Sequence, residues 1–294
     1  MKNLNLLLLT GAIAGLPLLA SARSEVKGPP CVWLASDLIG MKVVDKQGDS
    51  LGKIEDVVVH PGGEASYAVL SFGGWMGVGD KLFAMPWSVL RAVEPNTAKK
   101  DTAYSLVLPL DKERLKAAPG FSSKSWPTFA SPDWTKEIDS FYASDLKSDK
   151  KKPVEAAART SVITWKASEL KGVNVVTPTG EKLGDMREIA IDTNGRVNYV
   201  AISVGGFLGL GDKFVAVPWG SLVFSLAGDK GDKRVISLAS TKAQLEQAPE
   251  FKQGPENGAL MCEPKFISHV YEHFSCPVYW APAPAPAGTP GPKN

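Results

Sequence analysis

Two stretches of the chain share one pattern: residues 198–219 read NYVAISVGGFLGLGDKFVAVPW, and residues 66–87 read SYAVLSFGGWMGVGDKLFAMPW. Each begins with alternating apolar positions, continues through a glycine-rich loop and ends in Pro-Trp. Working outward, an offset of 132 residues aligns positions 36–90 with 168–222 without a gap. A register of this length indicates an internal repeat. We therefore expect two copies of one domain.

Within each copy the apolar pattern is that of β-strands. Leu70 in the first copy and Ile202 in the second lie at the centre of segments with a period of two. Turn residues separate the segments, among them Asn194-Gly195, a pair that suits a tight hairpin because both residues tolerate positive φ. Short strands at regular spacing predict a small antiparallel barrel.

Helical signals close each copy. Asp111 begins a short helix that Pro119 ends, and Ser131-Pro132 predicts the start of a second helix that runs to about Ala143. The second copy repeats this pattern from Pro264 to about Phe274. The expected fold is thus mainly β, with two small antiparallel β-barrels in tandem, each followed by short α-helices.

The predicted domain bounds follow from the repeat and from composition. They are a signal peptide at 1–22, a first barrel with its helices at 33–143, a linker at 144–164, a second barrel with its helix at 165–276, and a disordered tail rich in Pro and Ala at 281–294.

The first 22 residues have the features of an export signal. A positive start at Lys2 precedes an apolar run from Leu4 to Leu19, and small residues follow at Ala20-Ser21-Ala22. The apolar run is shorter than the roughly 20 residues that span a bilayer. We expect cleavage, a periplasmic or secreted protein, and no transmembrane segment afterwards. An uncleaved anchor is the alternative.

Charge argues against a nucleic-acid partner. The chain has 33 Lys and Arg against 31 Asp and Glu, and the two signs are interspersed. Nucleic-acid binders concentrate basic residues on one face or stripe. The expected partner is instead another protein of the cell envelope, and no cofactor is expected.

The glycine-rich loops hold the candidate partner-binding residues. A phosphate loop requires a following helix, whereas here a strand follows. The apolar loop residues either plug one end of a barrel, which is favoured because exposed apolar patches are uncommon, or contact a partner. The tentative binding set is Trp75, Met76, Asp80, Phe207, Leu208 and Asp212.

The C-terminal segment matches H-x-x-E-H, a zinc-protease pattern, at His269, Glu272 and His273. A third protein ligand is needed, and beyond His273 the chain offers only Cys276. His269, His273 and Cys276 are therefore weak metal candidates, and no catalytic residue is expected. The three cysteines Cys31, Cys262 and Cys276 allow one disulfide, whose pairing stays open.

The segments 183–192, 198–206 and 209–219, with the matching first-copy segment 52–87, resemble the PRC-barrel domain. The most specific part is the glycine-rich loop followed by a strand that ends in Pro-Trp. This resemblance implies two PRC-type barrels that act as a binding and assembly module without catalysis. The alternatives are an envelope protein that binds a metal or small ligand through its C-terminal helix or between the barrels, and a metal-dependent hydrolase.

The export signal makes a direct prediction. Signal peptidase should cut after Ala22, because small residues occupy the cleavage positions, and the mature chain should begin at Arg23. Intact-mass measurement of the native protein checks this. A mass that retains Met1 would contradict it.

Overall fold

The computed structural model describes residues 32–72, 81–93, 105–146, 164–205, 213–227, 233–252 and 263–279. Within these ranges the chain forms two sheets, one for each copy of the repeat. The apolar side chains of both copies join in one continuous core. The expectation of a mainly β fold with two tandem units is confirmed.

The first sheet contains most strands of the first copy. They are β2 (Lys42–Val44), β3 (Ser50–Val59), β4 (Ala65–Phe72), β5 (Lys81–Pro86), β6 (Arg91–Val93), β7 (Ser105–Val107) and β8 (Gly120–Ser122). Their order across the sheet is β6-β7-β2-β3-β4-β5-β8.

The second sheet repeats this arrangement. Its strands are β10 (Asn174–Val176), β11 (Lys182–Asp192), β12 (Val197–Val204), β13 (Lys213–Pro218), β14 (Leu222–Ala227) and β15 (Lys233–Leu238). The order β14-β15-β10-β11-β12-β13 is that of β6-β7-β2-β3-β4-β5. The two copies therefore share one strand order, as the repeat predicts.

The strand pairing departs from the purely antiparallel expectation at one place in each sheet. β2 pairs with β7 in parallel, with Val43 opposite Leu106, and β10 pairs with β15 in parallel, with Val175 opposite Ile236. The long connection between these strands lets the chain return and run in the same direction again, which a short hairpin does not allow.

The two copies exchange their first strands. β1 (Val32–Leu34) pairs with β11 of the second copy, and β9 (Trp165–Lys166) pairs with β3 of the first. The exchange is symmetric, because Trp33 lies opposite Ile191 and Trp165 lies opposite Val59 at equivalent positions of the repeat. Each sheet is therefore completed by a strand from the other copy.

Helices follow the exchanged strands and close each copy. They are α1 (Ala35–Leu38), α2 (Lys112–Lys116), α3 (Pro132–Leu146), α4 (Ala167–Leu170), α5 (Lys242–Glu246) and α6 (Pro264–His273). Asp111 caps α2 by accepting from the Arg114 backbone N–H at 2.7 Å, and Thr241 caps α5 in a capping box with Gln244. α3 continues to Leu146, beyond the predicted start of the linker at residue 144.

Two repeated glycines permit a close approach of strands. At Gly52 and Gly184 a Cβ atom would collide with the carbonyl oxygens of Ser71 and Ser203 respectively. The neighbouring strand therefore passes directly over the backbone at these points, and a side chain has no room. This requirement explains why Leu-Gly recurs at the same place in both copies.

The core makes a stability prediction. Leu70 on β4 and Ile202 on β12 are fully buried. Leu70→Ala and Ile202→Ala each leave a cavity and should lower the free energy of unfolding by ~2–5 kcal/mol. Urea denaturation followed by circular dichroism measures this loss.

Val223→Ala is the matched control, since Val223 lies in a strand but is 60% exposed. Its effect should stay within about 0.5 kcal/mol. Equal losses at all three positions would mean that burial does not determine the cost.

Candidate interaction surface

The loop residues that the sequence singled out lie outside the described residues. They are Trp75, Met76, Asp80, Phe207, Leu208 and Asp212. Their role in partner binding stays a prediction.

The H-x-x-E-H residues lie on α6, whose buried side is formed by Ile267, Val270 and Tyr271. His269 and Glu272 are exposed, while the ring of His273 lies 3.3 Å from the carbonyl oxygen of Gln244. Within the described ranges, no three His, Cys, Asp or Glu side chains are grouped in a way that holds a metal ion.

Cys276 follows α6 with a free thiol. Burial raises the pKa of this thiol, while a hydrogen bond with the Ser221 side chain acts in the opposite direction. A raised pKa keeps the sulfur protonated, the form that is poor both as a nucleophile and as a metal ligand. Cys31 and Cys262 lie outside the described residues.

The junction of the copies holds a buried carboxylate on each side. Asp56 on β3 accepts from the Ser168 hydroxyl and, at 3.2 Å, from the Ser168 backbone N–H at the start of α4. At the equivalent place, Glu188 on β11 accepts from the Ser36 backbone N–H at 3.3 Å. Each carboxylate also accepts from the next N–H of its own strand. Each strand thereby holds the helix that the other copy contributes.

The two Pro-Trp signatures also act across the junction. Trp219 packs on Gly63, and its indole N–H donates to the carbonyl oxygen of Pro61 at 2.8 Å. Trp87 packs in the same way on Gly195. Both glycines have positive φ, +87° and +84°, so a side chain there is strained as well as blocked. The tryptophans are structural, and each covers a turn of the other copy.

The hairpin turns themselves meet at the junction. The Ala65 N–H donates to the carbonyl oxygen of Gly195 at 2.6 Å, and the Val197 N–H donates to that of Gly63 at 2.8 Å. Beside them, Arg196 lies 3.4 Å from a carboxylate oxygen of Glu64. These contacts join the copies into one body whose parts have a fixed orientation.

One edge of the second sheet exposes apolar side chains. β14 is its end strand and pairs with β15, and no other described strand pairs with its outer side. Val223 is 60% exposed and Leu226 is 44% exposed. The two residues point to opposite faces of the strand, because side chains alternate. The apolar surface therefore extends around the edge.

The equivalent edge of the first copy is different. Arg91 occupies the position of Val223, and its guanidinium donates to the carbonyl oxygens of Ser88 at 2.6 Å and Leu90 at 2.9 Å. Charged side chains are a usual means of preventing edge pairing. The first edge has one in Arg91, and β14 has none.

The sequence did not identify this edge or the junction carboxylates. Val223 and Leu226 belong to a strand pattern that equally fits a covered strand. Comparison of the two copies gives a signal for the edge, because Arg91 aligns with Val223 at the offset of 132.

The buried carboxylate makes a prediction about pH. Burial raises the pKa of Asp56 above its usual 3.8, although hydrogen bonds from the Ser168 side chain, the Ser168 backbone and the Val57 backbone, and the charge of Lys166, act in the opposite direction. The folded protein therefore binds this proton more tightly than the unfolded chain, and Asp56 costs stability as the pH rises through its folded pKa. Asp56→Asn should gain stability relative to wild type as the pH is raised from below the ordinary carboxyl pKa of about 4 toward neutrality.

Urea denaturation across this pH range measures the difference. Ser168→Ala is the companion variant. Removal of the hydroxyl raises the pKa of Asp56 further, so the free energy of unfolding should fall more as the pH rises. A D56N variant whose stability relative to wild type falls with rising pH would contradict the assignment.

Comparison with known proteins identifies one matching protein family. No match is found among curated proteins. The family described as the PRC-barrel domain matches residues 33–102 and 165–244, which is half of the chain, and each match begins at an exchanged tryptophan. None of the helices among the described residues is both long and apolar enough to cross a membrane. The chain belongs to the PRC-barrel domain family and carries two copies of that domain.

Proposed function

We propose that this protein is a non-enzymatic assembly module of the periplasm that binds another envelope protein through the edge strand β14. The observation that carries the proposal is the apolar, unprotected edge at Val223 and Leu226. The signal-like segment at 1–22 supports export to that compartment. The family match supports a binding role, because resemblance to the PRC-barrel domain implies a binding and assembly module.

The expected mode of binding is addition of a strand. The outer N–H and C=O groups of β14 provide hydrogen bonds to an extended segment, and the side chains on both faces provide apolar contact. The partner segment should therefore be extended and apolar at alternating positions. Lys233 is exposed beside the end of β14, opposite Ala227, and favours an acidic residue at that end of the segment.

The junction explains why two barrels serve one binding edge. Strand exchange, the tryptophan contacts and the two carboxylates fix the second sheet against the first. A fixed platform loses little conformational freedom when a partner binds, and this preserves affinity. The first copy thus acts as a support for the second.

Site-specific photo-crosslinking in the native cells tests the proposal. A benzoylphenylalanine at position 223 should give one discrete adduct with another protein, because this position is the centre of the exposed edge. The same probe at Val93, on the equivalent edge of the first copy, is the matched control and should give no such adduct. Gel mobility and mass spectrometry identify the adduct.

A charged variant tests whether apolar contact on β14 is needed for binding. Val223→Glu places a charge on the edge, which should abolish the crosslink formed from a probe at Leu226 while leaving the free energy of unfolding within about 0.5 kcal/mol of wild type. The proposal fails if neither probe on β14 yields an adduct, or if Val93 yields the same adduct as Val223.

A further inference from the structure

A cavity of about 250 Å³ lies where α1 and α4 meet over β11. The two helices hold equivalent places in the repeat, whereas the strand residues that line the cavity all belong to β11 and none to β3. Met186, Glu188 and Ile189 line it from β11. This volume is slightly below the range of sites that hold drug-sized ligands, which points to a smaller compound.

The two junction carboxylates differ at this cavity. Both oxygens of Asp56 are engaged, since Oδ1 accepts from two backbone N–H groups and Oδ2 accepts from the Ser168 hydroxyl. Glu188 uses only Oε1, which accepts from the N–H groups of Ser36 and Ile189. In the described part of the chain, neither Glu188 Oε2 nor the Ser36 hydroxyl has a recorded hydrogen-bond partner.

This oxygen has no hydrogen bond within the described residues, and it is not sealed from solvent. Glu188 as a whole is only 6% exposed, and its side chain lines the cavity. A carboxylate oxygen that opens onto a cavity can accept from a ligand, and a charge-assisted hydrogen bond to a cation is among the strong ones. The first copy satisfies the same oxygen from within the protein, and the second leaves it accessible to a ligand.

We propose that the cavity binds a small aliphatic ammonium compound. Its ammonium group donates to Glu188 Oε2 and to the Ser36 hydroxyl, and its hydrocarbon part packs against the apolar wall formed by Ile39, Met186 and Ile189. An alcohol of the same shape offers one donor and no charge, so it satisfies the carboxylate less well.

The two cationic side chains beside the cavity have no hydrogen bond with Glu188 among those described. Arg187 directs its Nε to the Ser203 hydroxyl at 3.1 Å on the neighbouring strand. Lys171 is exposed and lines the cavity. The Lys171 ammonium can pair with a carboxylate on the ligand. A free amino acid has such a carboxylate and a simple amine does not, but both have the ammonium group that Glu188 binds.

Isothermal titration of the mature protein tests the proposal with three probes. Isopentylamine should bind with one site per chain, and isopentanol, its neutral counterpart, should bind at least roughly tenfold more weakly. L-Leucine distinguishes the two classes of ammonium compound, which are free amino acids and simple amines. Tighter binding of leucine assigns the site to amino acids, and tighter binding of isopentylamine assigns it to simple amines.

Two matched variants locate the site. Glu188→Gln keeps the shape and removes the charge, and it should weaken isopentylamine binding about tenfold or more. Asp56→Asn alters the equivalent, closed carboxylate, which contacts the cavity only through Ser168, and should weaken binding less than Glu188→Gln does. The comparison of isopentylamine with isopentanol uses wild-type protein and stands even if a variant folds poorly.

Absence of binding by both ammonium probes overturns the proposal. Equal binding of isopentylamine and isopentanol also overturns it, as does a loss of binding in Asp56→Asn without a loss in Glu188→Gln. None of these results bears on β14, because the residues that line the cavity exclude that strand.

Discussion

The exchange of two short strands is the constraint on which the rest of the structure depends. The buried backbone of β11 along Ala190–Asp192 is paired by β1, and that of β3 at Val58 and Val59 is paired by β9. Buried N–H and C=O groups must be hydrogen-bonded, so neither sheet is complete without the other copy. The exchange also brings α1 and α4 onto the opposite sheets. The carboxylate contacts, the tryptophan contacts and the cavity between α1, α4 and β11 all follow from this placement.

The same constraint gives the molecule its rigidity. In many tandem proteins a linker alone connects two independently folded units, and their relative motion is the default. Here the core is continuous across the copies, and Trp87 and Trp219 are nearly fully buried between them. Relative motion would expose both indoles and break the backbone hydrogen bonds between the turns. A fixed relation between the sheets is therefore the low-energy state.

The sequence predicted the repeat, the mainly β fold and a strand order shared by the two copies, because these depend on periodicity along the chain. It did not predict that order itself or the parallel pairs β2–β7 and β10–β15. It did not determine the exchange, for a physical reason. Trp33 and Trp165 occupy equivalent positions, so pairing within a copy and pairing between copies place the same residue types opposite one another. A symmetric repeat carries no signal that separates the two arrangements. The connecting chain and the packing decide between them.

The junction carboxylates were missed for a related reason. A polar residue in a strand with period two indicates a face toward water. Asp56 does point away from its own barrel core, but a helix of the other copy covers it, so that it is only 4% exposed. Asp56 has both carboxylate oxygens engaged, whereas Glu188 has one oxygen unengaged. This difference depends on the additional methylene group of Glu188 and on the direction of the Ser36 hydroxyl compared with that of Ser168. Periodicity contains no information at that scale.

The ion pair between Glu64 and Arg196 has a consequence for how such a pair of barrels can specialise. The two residues hold the same position in the repeat and meet across the axis between the copies. Two identical chains around a two-fold axis would bring Glu against Glu or Arg against Arg there, because such an interface is self-complementary. Covalent linkage removes this restriction, and each side of the axis becomes an independent position. Within the described residues, one molecule then carries Val223 and Leu226 on one edge strand and one carboxylate with an unengaged oxygen, instead of two of each. Under the two proposals, each complex would contain one partner per molecule in one defined direction.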